Sequence, residues 1–226
     1  MENEPKQEEK QNTLSIPIAI IIAGILIAGA VLIGTKGGSY PSVATSPQQQ
    51  TATQPSASTV DIAKVKIAGR PFIGNPNAPV IIAYWFDYQC PFCKRFETDV
   101  MPQLITDYVK TGKVKIVYKD FQFLGQDSQT AGIVAHAVWE VAPDKFYQWH
   151  KAMYDKQDNE NSGWGNKDDI LALTKTILGA DASKIAQLML SKQAEYQKII
   201  DEDKAEGGSF GVSGTPSVIV GKQMIV

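Results

Sequence analysis

The chain has 226 residues, of which 43% are hydrophobic and 20% charged, and a net charge of −2. That length admits one to two domains, and the absence of a basic excess excludes a nucleic-acid partner held by phosphate contacts. The whole sequence has two cysteines and two histidines.

Residues 1–13, MENEPKQEEKQNT, are charged and of low complexity, and are predicted to form a disordered tail. A transmembrane anchor is predicted over residues 14–34, because Ile16 to Gly34 runs nineteen residues without a charge. At about 1.5 Å per residue such a run spans a hydrocarbon core of about 30 Å. The competing reading is a cleaved signal peptide, since Ala28-Gly29-Ala30 and Ser42-Val43-Ala44 resemble the small-residue cleavage pattern. The stretch has no cysteine to carry a lipid, and in either reading the following domain leaves the cytoplasm. Residues 35–59 carry one charge and are rich in Ser, Thr, Gln, Pro and Ala, which predicts a flexible linker.

The folded domain is predicted over residues 60–226. Val65-Lys66-Ile67 reads as a first short strand, and Gly74 to Pro79 as a turn cluster. Val80 to Phe86, VIIAYWF, is an unbroken apolar run that predicts a strand buried on both faces. After Asp87-Tyr88-Gln89 comes Cys90-Pro91-Phe92-Cys93, and then an apolar periodicity from Phe96 to Val109 with helical spacing. The cysteines therefore sit where a strand hands over to a helix. At the first turn of a helix the unpaired N–H groups and the macrodipole favour a thiolate over a thiol. Cys90 is thus read as an acidic, exposed, attacking thiolate. Cys93 lies three residues on, on the same helical face and deeper, and is read as the resolving thiol. Pro91 suits the first helical turn, and Pro91 and Phe92 are the residues that tune the pair.

The other readings of the motif are half of a zinc site and two buried thiols. Half of a zinc site lacks its other ligands, because His136 and His150 are neither near the motif nor at metal-ligand spacing. Both histidines are predicted to be packing or surface residues. Asp87, three residues before Cys90, is either a partly buried carboxylate that relays the proton of Cys93 or a helix-initiating, solvent-facing acid. Glu97 is predicted to lie on the helix surface.

Lys113 to Phe121 reads as the next strand, parallel to its predecessors, which completes a βαβ unit. From about residue 127 to 206 the chain is predicted helical, over Ser128 to Val141, Asp144 to Asp155, Lys167 to Leu178 and Ala182 to Glu206. The polar loop from Asp155 to Gly165 does not have the spacing of a calcium loop, and no metal is expected. The charged run Asp201 to Lys204 is predicted to be a solvated helix face. Gly207-Gly208 is read as the end of the long helix, and Ser217 to Val220 as a short strand. On the residues alone, Thr215-Pro216 is an ordinary turn before it.

Phe86 to Lys94, together with Gly214-Thr215-Pro216-Ser217, resembles the DsbA-like thiol-disulfide oxidoreductases of the thioredoxin fold. The resemblance covers Val65 to Val226. It implies an α/β, thioredoxin-like fold with an inserted helical subdomain that caps the active-site face and shapes a groove for an unfolded chain. Trp139, Trp149 and Trp164 are groove candidates, with core packing as the alternative. Pro216 would be a cis-proline facing Cys90 and Cys93, and Thr215 would offer backbone hydrogen bonds to substrate. The resemblance further implies no cofactor beyond the Cys90–Cys93 disulfide, substrates that are reduced or unfolded exported proteins, and a membrane reoxidising partner of the DsbB or VKOR kind. The chain ends where a last strand begins, whereas DsbA-like domains continue into a further helix, so one sheet face is expected to be partly uncovered. A reductase or isomerase, or a non-catalytic module that binds unfolded chains, are the alternative functions.

Overall fold

The structure, a computed structural model, describes residues 60–226. The tail, anchor and linker read from residues 1–59 lie outside the described residues. Among those described, no helix is long and apolar enough to cross a membrane.

Five strands form one mixed sheet in the order β1-β3-β2-β4-β5. They are β1 (Phe72–Gly74), β2 (Val80–Phe86), β3 (Val114–Asp120), β4 (Ser217–Val220) and β5 (Gln223–Ile225). β2 and β3 run parallel from Val80↔Val114 to Phe86↔Asp120, whereas β1 is antiparallel to β3 and β4 to β2. The first strand is therefore Phe72–Gly74. Val65–Ile67, predicted as a strand, follows a short 3-10 turn (Ile62–Lys64) capped by Asp61, and Val65 packs into the core instead of pairing.

Between β2 and β3 runs a helical rod, α1, over residues 91–109. Its α-helical turns Pro91–Arg95 and Met101–Leu104 alternate with π turns Phe96–Val100 and Ile105–Val109. Five helices then separate β3 from β4: α2 (Gln126–Val141), α3 (Phe146–Lys156), α4 (Lys167–Leu178), α5 (Asp181–Ser191) and α6 (Gln193–Phe210). Asn166 caps α4 by accepting from the Asp168 and Asp169 N–H groups, and Gly179, at φ 58°, closes it. The segment read as one helix from Ala182 is two, broken at Lys192. The second continues through Gly207-Gly208 to Phe210, because Gly211, at φ 91°, supplies the left-handed cap. Gly207 persists inside a helix for a packing reason, since a Cβ there would meet Trp85 Nε1 at 2.7 Å.

The alternation of β2 sorts its side chains between two cores. Ile82, Tyr84 and Phe86 join the larger cluster with both cysteines and the inserted helices. Ala83 and Trp85 join a smaller one with Val60, Val65, Phe121, Val212 and Ile219. On this second face, Val60, Val65 and the end of α6 pack on the sheet. Ile225 and Val226 remain exposed.

The second face is also pinned by charge. Asp203 is fully buried rather than solvated; it accepts from Arg70 Nε at 2.7 Å and from Lys119 Nζ, while its carbonyl accepts from Trp85 Nε1 at 3.0 Å. Lys119, itself fully buried, also pairs with Glu206 at 2.9 Å. The correction follows from periodicity, because one residue of a charged run on a docked helix must point inward. Removing one member of a buried pair leaves the others unpaired, so Asp203→Ala should lower stability in urea unfolding by about 3–5 kcal/mol. Exposed Asp201→Ala should stay within about 0.5 kcal/mol of the parent.

Candidate active site

β2 delivers the chain into the interior, and Asp87-Tyr88-Gln89 turn it so that Cys90 becomes the N-cap of α1 with Pro91 in the first turn. Cys90 Sγ accepts the Cys93 N–H at 3.4 Å, the role an oxygen plays in an ordinary cap. Both cysteines are free thiols. Cys93 has no exposed surface, and Cys90, read from the sequence as exposed, is only 4% exposed. The cover is the loop before β4: the Thr215–Pro216 bond is cis, and the Thr215 carbonyl accepts the Cys90 thiol at 3.3 Å. The Thr215 hydroxyl is buried.

The two sulphurs are driven apart electrostatically. The Cys93 thiol, the Thr215 hydroxyl and the N–H groups of Cys93 and Phe92 together outweigh burial and bring the Cys90 thiol from 9.0 down to about 6. Burial, reinforced by the neighbouring Cys90, pushes the Cys93 thiol well up. At neutral pH one sulphur is ionised and its partner is protonated. This is the asymmetry needed for attack by one and resolution by the other.

Of the two predicted tuning residues in the motif, Pro91 opens the helix, and Phe92 acts on Cys90 through its backbone N–H while its ring is 61% exposed. Asp87 is completely buried, which rules out the solvent-facing alternative. Its carboxylate accepts from the N–H groups of Gln89, Phe123 and Leu124 and from the Ser128 hydroxyl at 2.6 Å. Burial raises its pKa and these donors draw it partly back. The carboxylate is a clasp for the loops, and Asp87 acts on Cys93 through its backbone.

An apolar cavity of about 480 Å³ is lined by Phe92, Phe96, Val100, the Gly214–Pro216 loop and Val226, with Arg95 and Asp99 supplying charge. The tryptophans are elsewhere. Trp149 is buried and donates to Thr174 at 2.9 Å, Trp139 packs edge-on against Phe72 and Phe146, and Trp164 packs against the main core.

Several site residues escape sequence reading. Gln157, at the end of α3, donates to the carbonyls of Tyr88 at 2.7 Å and Cys90 at 3.1 Å. Tyr154 donates to the Asp87 carbonyl at 3.1 Å. Glu97, assigned to the surface, is fully buried and lies 3.0 Å from the Nε2 of equally buried His150. Its spacing four residues after Cys93 was the available signal, because it places both on one helix face. His136 is likewise an interior residue, paired with Asp120 at 2.7 Å.

Fold and site together define a redox centre of the thioredoxin type. The family model described as Thioredoxin matches residues 66–226, and the chain belongs to that family. Disulfide bond formation protein D of Bacillus subtilis is 27% identical over 165 residues, covering 70% of this chain and 71% of that protein. The crystal structure of oxidised BdbD from Bacillus subtilis superposes with a TM-score of 0.66 at 25% identity, covering 75% of this chain and 89% of that one. The thiol-disulfide exchange protein α-DsbA2 of Wolbachia pipientis superposes at 0.62 with 28% identity, covering 70% and 80%. The protein is a thiol-disulfide oxidoreductase of the thioredoxin-like DsbA group.

The sign of the pH response follows from the lowered Cys90 value. The folded dithiol form binds its Cys90 proton less tightly than the unfolded chain, so this contribution to stability is fully present above the ordinary value of 9.0 and is lost as pH falls through about 6. Thiolate ultraviolet absorbance of the reduced protein should rise with a midpoint near pH 6 and vanish in Cys90→Ser. Thr215→Val, which removes one stabilising donor, should move the midpoint upward.

Proposed function

We propose that the protein introduces disulfides into exported polypeptides, with Cys90 as the exchanging sulphur and Cys93 as its resolving partner. The observation that carries this reading is the opposite displacement of the two thiols. A well-stabilised Cys90 thiolate is a good leaving group and favours the reduced enzyme, which makes the disulfide oxidising. The names of relatives as disulfide bond formation proteins support the same direction. A substrate thiolate attacks Cys90 of the oxidised pair and forms a mixed disulfide, and a second substrate thiol displaces Cys90 and carries the disulfide away.

The apolar cavity beside the Thr215-Pro216 loop suits the exposed side chains of an unfolded chain, and that loop is the element an extended segment would lie along. No cofactor beyond the Cys90–Cys93 disulfide is required. The uncharged run within residues 14–34 would anchor the chain once in the cell membrane, with residues 60–226 on the extracytoplasmic side and residues 35–59 as tether. A membrane-bound reoxidase of the DsbB or VKOR kind would restore the disulfide.

Equilibration with glutathione, read by alkylation mass shift, should place the Cys90–Cys93 potential nearer to about −120 mV than to about −270 mV. The protein should refold reduced ribonuclease, Cys90→Ser should be inert, and Cys93→Ser should accumulate mixed disulfides. A potential near the lower figure, with insulin reduction and no ribonuclease refolding, would reverse the assigned direction. The full-length chain should fractionate with membranes and lose that association when residues 14–34 are deleted.

A further inference from the structure

The turn from Asp87 to Cys90 presents three carbonyls to the C-terminal end of α3. The Tyr154 hydroxyl donates to that of Asp87 at 3.1 Å, and the Gln157 side-chain amide donates to those of Tyr88 at 2.7 Å and Cys90 at 3.1 Å. Both partners of the amide are carbonyls, so only its NH2 end can face them. Gln157 is buried, and its own N–H caps α3 by donating to the Tyr154 carbonyl. In return, Lys94 in the first turn of α1 donates from Nζ to the Gln157 carbonyl at 2.6 Å. Each helix end is thus held by a side chain of the other. The chain beyond Gln157 comes back to the same turn, where the Asn161 N–H donates to Gln89 Oε1 at 3.0 Å.

Pairing of buried acceptors does not require all of this. The Cys90 carbonyl already accepts the Lys94 N–H at 3.2 Å as the first intrahelical bond of α1, so a second donor from outside the helix is surplus to its needs. Two donors on one carbonyl fix the plane of its peptide. The orientation of the peptide after Cys90 decides where the Cys90 side chain stands over the N–H groups of Phe92 and Cys93. The cap itself is long, at 3.4 Å, and hydrogen bonds weaken steeply as they bend. A small rotation at Cys90 would therefore cost the sulphur its donors. Lys94 meanwhile directs its ammonium to Gln157 and not to the sulphur.

We propose that Gln157 is a positioning residue for thiol-disulfide exchange, and that with Lys94 it forms a two-way clamp that keeps Cys90 Sγ in the cap of α1. The assignment rests on Cys90 being the exchanging sulphur. With the clamp closed, the Cys90 thiolate keeps its donors, which favours the dithiol form and makes the disulfide oxidising. Loosening the end of α3 frees the Cys90 peptide to turn, weakens the cap and makes the same motif a poorer oxidant. The clamp thus links the oxidising strength of the pair to the packing of the inserted helices.

In the full-length protein, Gln157→Met keeps the side-chain volume and removes both donors. The Cys90 thiolate absorbance midpoint should rise from near pH 6 to about pH 7, a tenfold loss of thiolate stabilisation on the scale of one neutral hydrogen bond. The Cys90–Cys93 potential, measured above both midpoints, should fall by about 30 mV, the same factor of ten for a two-electron couple. Lys94 is half-buried, so Lys94→Met is the milder variant. It should move both readings in the same direction, and still do so at about 1 M salt, where charges are screened within about 3 Å. In the double variant the two shifts should fall short of their sum, because either loss opens the clamp. Parental midpoint and potential in Gln157→Met, with only its stability in urea lowered, would make Gln157 a structural residue and overturn the proposal. A Lys94→Met shift that vanishes in salt, or shifts that add, would overturn the clamp. Alkylation of Cys93 ahead of Cys90 in the parent protein would be a different failure, that of the exchanging sulphur on which the proposal stands.

Discussion

The cap that Cys90 places on α1 is the interaction on which the rest of the site depends. A sulphur accepting the Cys93 N–H is stabilised as an anion by unpaired donors and the helix dipole. That requires the helix to begin within the body of the fold rather than at its rim. β2 meets the requirement because five of its seven residues, Ile82 to Phe86, are buried and serve two cores at once. The strand cannot shift register by one residue without exchanging Tyr84 and Phe86 for Ala83 and Trp85. The position of Cys90 is therefore set by packing on both faces of the sheet.

The two faces are stabilised by different physics. The larger core is aromatic, with Tyr84, Phe86, Tyr88, Tyr118 and Phe146 in edge or tilted contact. The second face is smaller and uses the buried cluster of Arg70, Lys119 and Asp203 to dock α6. Because α6 leads through Gly211 into the Thr215-Pro216 loop, that docking also determines where the Thr215 carbonyl meets Cys90. A charge cluster remote from the sulphurs thus fixes one wall of their site.

Features carried by contiguous residues were legible in the sequence. The apolar run of β2 and the helical periodicity after Cys93 placed the cysteine pair at a strand-to-helix junction, and the helical spacing from Lys167 to Leu178 matched the bounds of α4. The misreadings concern burial on amphipathic surfaces. Glu97 and Asp203 look like solvent-facing acids because each lies among charged or polar neighbours, and only the partners that fold over them, His150 in one case and Lys119 with Arg70 in the other, make burial tolerable. Those partners lie on other elements, and no local spacing announces them. Val65-Lys66-Ile67 failed for a related reason: its apolar alternation serves core packing, while the strand pairing falls to Phe72–Gly74.

The helical insertion is more than a cover for the active-site face. His150 of α3 bridges Tyr88 to Glu97, Tyr154 of the same helix holds the carbonyl of Asp87, and Gln157, the residue that ends it, holds those of Tyr88 and Cys90. One inserted helix and its C-terminal cap therefore brace the loop that presents the cysteines. An isolated sheet with α1 would leave the Tyr88 carbonyl unpaired, the Cys90 carbonyl with only the Lys94 N–H, and the Glu97 carboxylate without its counterpart. Buried polar groups in that condition are costly enough to reorganise a loop. The insertion and the redox motif form one physical unit, and changes in the packing of α3 must reach the sulphurs through these hydrogen bonds.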